Sequence, residues 1–127
     1  MKLTHLQCQL LHTALSKLDS CKFPKSANGA MRYNIAKNLR LLRPALDVFE
    51  DTRVSLVQSI TNGKGAVDPQ SPEGVAYFMD LRELQKKEAG DFELLKLKWD
   101  TLDPETNAIA PSTLADLEPV LDGALAD

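Results

Sequence analysis

The chain has 127 residues, 43% of them hydrophobic and 26% charged, with a formal net charge of −3. That length suits one domain with one modest core, and the composition excludes wholesale disorder. No run approaches the eighteen or so apolar residues of a membrane span, and the start, MKLTHLQCQLLHTALSK, is too interrupted by His5, Gln7, Gln9 and His12 for a signal-peptide core, so a cytoplasmic protein is expected.

Charge is divided along the chain. Residues 1–64 carry ten bases against four acids, +6, whereas residues 65–127 carry five against fourteen, −9. Such asymmetry can mark an anionic partner for the basic half, but packing or oligomerisation through complementary fields, or simple solvation, produces it too. Cys8 and Cys21 fall in a helix and in the loop after it and read as free thiols of a reducing compartment.

In chain order, residues 3–19 form a first helix. Leu3, Leu6, Leu10, Ala14 and Leu18 make its seam, and Leu11 and Leu15 widen it. Pro24 and Gly29 interrupt the pattern, and Ser26 or Asn28 can cap the next helix. Ala30 to Ile60 is the organising stretch. Met31, Ile35, Leu39, Leu42, Leu46, Phe49, Leu56 and Ile60 keep a helical period over a rod of roughly 45 Å. Pro44 removes the amide that would bond the Arg40 carbonyl, so a kinked helix is expected. The two helices should form an antiparallel hairpin.

Asn62 or Gly63 suits a left-handed C-cap in the run Thr61–Gly65. Ser71-Pro72-Glu73 then starts a third helix reaching about Glu88, with Val75, Phe78, Leu81 and Leu84 on its apolar face. Leu95, Leu97 and Trp99 alternate with Lys96 and Lys98 as a half-buried strand, and Ala108-Ile109-Ala110 can pair back on it. Ser112 or Thr113 caps a last helix bearing Leu114, Leu117 and Leu121, shortened by Pro119, and the tail 123–127 should fray. The expected fold is mainly α (α+β): a long kinked helical hairpin, a third helix, a small C-terminal β-hairpin and a short last helix. It is one domain, 1–127, with a basic helical hairpin at 1–62 and an acidic remainder at 71–127.

Chemistry-bearing motifs are sparse. Cys8 and His12 stand at i, i+4, but no CxxC or HExxH motif completes a metal site, so no metal or cofactor is expected. There is no P-loop, no dinucleotide fingerprint and no nucleophile elbow, and neighbouring acids such as Glu50 and Asp51 point apart on a helix. A non-enzymatic protein is expected. Glu50 and Arg53 read as a surface ion pair, and Trp99 as a core or interface anchor.

The best candidate site is the polar side of the long helix. Tyr33, Lys37 and Arg40 stand at i, i+4 and i+7, with Asn34, Asn38 and Arg43 beside them. An aromatic ring, cations and amides on one face suit a phosphate or a nucleotide base, although a basic helix face is also what plain solvation produces. The acidic balance and the lack of a docking motif argue against sequence-specific DNA reading.

The segment YNIAKNLRLLRPALDVFEDTR resembles a family of small uncharacterised proteins of tailed phages (siphoviruses) and prophages. Their pattern has a Tyr-x-Ile-Ala-Lys-Asn-like start, leucine turns, then aromatic–acid–x–x–Arg, matched here by Tyr33, Ile35, Ala36, Lys37, Asn38, Leu39, Leu42, Phe49, Glu50 and Arg53. The run from Ile109 to Leu121 is similar to the end of that pattern, and Pro44 and the glycine-poor third helix depart from it. The resemblance spans about residues 26–122 and implies a phage-type origin without any catalytic residue. Taken with the basic face, it leads to an accessory protein of the host cytoplasm with a counter-defence role. Such a protein would act as a homo-oligomer, capturing a host protein or a small anionic nucleotide. The alternative is a phage structural or assembly component, a head or tail accessory protein or chaperone.

Overall fold

The computed structural model describes residues 1–63 and 65–122; Lys64 and the tail expected to fray lie outside the described residues. In chain order it comprises β1 (Lys2–Thr4), α1 (His5–Lys17), α2 (Lys25–Thr61), α3 (Pro72–Lys86), β2 (Glu88–Asp91), β3 (Leu97–Lys98), α4 (Trp99–Leu102), α5 (Pro111–Leu117) and β4 (Leu121–Asp122). The fold is mainly α, as the periodicity indicates.

The first helix begins later than its apolar spacing suggests, because Thr4 and Gln7 form a capping box. The Thr4 hydroxyl accepts from the Gln7 N–H, and the Gln7 side chain accepts from the Thr4 N–H at 2.8 Å. Leu3 is therefore left in β1, buried and paired with Gly90 of β2. The buried side of α1 is Cys8, Leu11, Ala14 and Leu15, continued by Leu18 in the adjoining 3-10 turn. Leu6 and Leu10, expected on the seam, are exposed instead. They lie about 140° and 100° around the helix from Leu11, too far to share its face.

α2 is one continuous helix of 37 residues, about 55 Å long, running through Gly29 and through Pro44. Pro24, and neither Ser26 nor Asn28, occupies its N-cap. Its buried side is Met31, Ile35, Asn38, Leu42, Ala45 and Phe49, a heptad-like 4-3-4-3-4 seam. Pro44 is exposed, on the far side from that seam, where its missing amide faces water. α1 packs antiparallel on α2. The His5 and Phe49 rings meet at 5.7 Å at one end, and at the other Arg32 donates to the Asp19 carbonyl at 3.0 Å. Asn62 ends α2 in the left-handed conformation, φ 53°.

α3 starts as its sequence indicates. The Ser71 hydroxyl accepts from the Gly74 N–H at 2.9 Å, and Pro72 occupies N1. Its buried residues are Gly74 and Tyr77, with Leu81 and Leu84 half-buried, so the packed side is turned from the expected one and leaves Val75 and Phe78 exposed.

Short strands stitch the ends together. β1 and β2 are antiparallel, and β3 and β4 are parallel, Leu97 beside Leu121. The alternating stretch does contribute a strand, but its partner is the chain after α5 rather than Ala108–Ala110. Ala108 sits at φ 52° in a turn whose Asn107 carboxamide donates to the Lys22 and Leu102 carbonyls, which diverts residues 108–110 from Leu97. α5 begins at Pro111 with Ala110 at its N-cap, so Ser112 and Thr113 lie inside it and make no cap. Leu11, Leu15, Leu18, Leu42, Leu97, Leu102, Leu117 and Val120 are fully or almost fully buried and form the heart of the core.

Candidate functional site

The expected site residues separate into two groups. Tyr33, Lys37 and Arg40 fall within about 60° of one another on the outer side of α2. All three are exposed, Tyr33 by 62%. Among the described residues neither Lys37 nor Arg40 enters an ion pair or a side-chain hydrogen bond. Arg43 differs, because its Nε meets Asp47 Oδ1 at 3.2 Å, one turn on.

Asn34 and Asn38 instead face the chain that crosses α2. Asn34 Nδ2 donates to the Lys96 carbonyl at 3.3 Å, and the wholly buried Asn38 holds Leu95 by both its backbone groups. These amides fasten residues 95–96 to α2 and bring two further lysines beside it.

The result is a groove of about 290 Å³. Ser26, Ala27, Ala30, Met31 and Asn34 form one wall, and Lys96, Lys98 and Thr101 the other. Of the candidate site residues Tyr33, Asn34, Lys37, Asn38, Arg40 and Arg43, only Asn34 lines it. Lys96 and Lys98 read as the solvated edge of a strand, and no local signal places that strand against α2. Lys96 Nζ donates to the Pro119 carbonyl at 2.8 Å, whereas Lys98 makes no such contact among the described residues.

A second basic hollow, about 370 Å³, lies where the chain turns into α2, lined by Lys22, Phe23, Lys25, Asn28, Gly29 and Arg32. Arg32 is taken up by the fold there. It stacks on Phe23 at 5.0 Å, donates to the Asp19 and Cys21 carbonyls, and its Nε donates to Asn28 Oδ1 at 3.3 Å. From Ser20 to Leu46 the chain holds six bases, Lys22 among them, and no acid before Asp47, so this stretch itself carries only positive charge.

No family model, curated protein or solved structure matches the chain.

Other chemistry finds little footing. Among the described residues no three His, Cys, Asp or Glu side chains gather as a metal site would need. Cys8 and Cys21 are free and buried, and burial pushes the Cys8 thiol up to about 11. Burial lowers the pKa of His12, and the Arg43 guanidinium acts in the same direction. Glu50 grips Arg53 with both carboxylate oxygens, 3.0 Å to its Nε, the surface pair expected from their spacing. Trp99 is half-buried beside Lys98, Asp100 and Asp122. Among the described residues no helix is long and apolar enough to cross a membrane.

Proposed function

We propose that this chain is a non-enzymatic, phage-type accessory protein that works by binding an anionic partner on the basic side of α2. The partner is a small nucleotide signal or an acidic patch of a host protein, captured in the host cytoplasm by a homo-oligomer as a counter-defence. One observation carries the reading: Tyr33, Lys37 and Arg40 share a face of α2 and stand without protein partners among the described residues, while Arg32, Arg43 and Arg53 of the same helix are engaged. Unengaged cations beside an exposed ring suit a charged, planar ligand. The phage-type origin rests on the sequence resemblance alone.

Native mass spectrometry of protein purified gently from its host tests this. A defined oligomer should carry an adduct, a few hundred daltons for a nucleotide or a protein mass for a host target. The adduct should vanish in Lys37→Ala/Arg40→Ala. An adduct that persists in that variant, or an adduct-free wild type, sinks the reading.

A second reading, a structural or assembly component, is favoured by the outer side of α3, where Val75, Phe78 and Met79 are 51%, 44% and 62% exposed. Apolar side chains grouped on one helix suit a packing surface. Under that reading, function survives Lys37→Ala and fails in Phe78→Asp.

A further inference from the structure

We propose that the groove between α2 and the Lys96–Thr101 segment is a mononucleotide site, selective for a base with an exocyclic amino group and a terminal phosphate. This goes beyond the anion-capture reading: it is a second site, built from side chains other than Tyr33, Lys37 and Arg40, and it stands or falls independently of that face.

Size comes first. About 290 Å³ lies just below the usual range of ligand pockets, about 300 to 1,000 Å³, which suits one nucleotide and not a chain of them. Its lining leaves room for a flat ring. Ala27 and Ala30 project no more than a methyl group into it, and the buried Met31 presents a polarisable thioether behind them.

The polar groups have fixed senses. Asn34 Nδ2 spends one of its two N–H groups on the Lys96 carbonyl, while Oδ1, which can only accept, has no protein partner among the described residues. An acceptor there suits the amino group of adenine or cytosine and opposes the carbonyl that uracil presents in its place. Lys98, Ser26 and Thr101 supply an ammonium and two hydroxyls at the rim, a donor set for phosphate. Asp100 and Asp122 line the hollow on the other side of Lys98, and neither forms an ion pair with it among the described residues. The Lys98 charge is thus available to a ligand. Lys96, held by the Pro119 carbonyl, adds to the local field.

Isothermal titration of the full chain with AMP, UMP and adenosine at low salt tests the site. AMP should bind, with UMP and adenosine each about tenfold weaker or more, a difference of about 1.4 kcal/mol. Lys98→Ala should bring AMP down to the adenosine level. Ala30→Leu, at an exposed helical position, should fill the groove and abolish binding with the melting temperature unchanged. AMP binding that survives Ala30→Leu, or AMP and adenosine binding alike to the wild type, overturns the proposal. So does a wild type that ignores AMP. In that last case, inorganic triphosphate bound by the wild type and lost in Lys37→Ala/Arg40→Ala leaves the anion-capture reading standing, and no triphosphate binding removes it as well.

Discussion

Asn38 holds Leu95 by both its backbone polar groups: Nδ2 donates to the Leu95 carbonyl at 2.8 Å, and Oδ1 accepts from the Leu95 N–H at 2.7 Å. A side-chain amide here substitutes for a neighbouring strand, because residues 92–96 form no regular ladder of their own. Removing it strands two partly buried backbone groups at about 1–3 kcal/mol each. Asn38→Ala should therefore lower unfolding free energy by about 2–4 kcal/mol in urea titration. Asn38→Asp should do no better, since a carboxylate can accept from the N–H but repels the carbonyl. An Asn38→Ala protein as stable as the wild type would show that the clamp contributes nothing.

The same residue shows where sequence reading succeeds and where it stops. The period of α2, the Ser71-Pro72 start of α3 and the Asn62 cap are local physics, and each is plain in the sequence. Asn38 lies on the Met31–Phe49 seam by spacing alone, yet a polar residue there invites placement on the wet face. Its partner is 57 positions away, so nothing local reveals the clamp. The groove is hidden for the same reason: its two walls meet only because Asn34 and Asn38 bring residues 95–96 across α2. Tyr33, Lys37 and Arg40 are legible because they depend on one helix.

Gly74 is set by close approach. A Cβ built on it would lie 1.8 Å from the Asp68 carbonyl oxygen, which also accepts from the Ser71 N–H and hydroxyl. Gly74→Ala must push the loop off the start of α3 and disturb the Ser71 cap. Although alanine favours a helix by about 1 kcal/mol over glycine, this substitution should lower the melting temperature. A rise would mean the loop yields freely.

His12 gives stability a pH dependence with a definite sign. Its folded pKa lies below the ordinary imidazole value of about 6.5, first through burial and then through Arg43. As pH falls through 6.5 the unfolded chain therefore takes up the proton first, and stability declines until the folded pKa is passed. The urea midpoint should drop between pH 7.5 and 5.5, and His12→Gln should lessen that drop. An identical drop in the variant would assign it to other groups.

The last prediction separates the face from the frame. Leu42 is fully buried at the middle of the α2 seam, so Leu42→Asp puts a charge into the core contact with α1 and should unfold the chain, erasing its near-ultraviolet signal. Lys37 and Arg40 bury nothing and hold nothing, so Lys37→Ala/Arg40→Ala should keep the melting temperature within about 2 °C, as surface substitutions usually do. Removing two like charges from a uniformly positive stretch should, if anything, ease self-repulsion. A double variant that stays folded and loses its anion assigns the two cations to recognition. A double variant that melts well below the wild type would make them part of the scaffold, and the exposed face of α2 would then have no claim on a ligand.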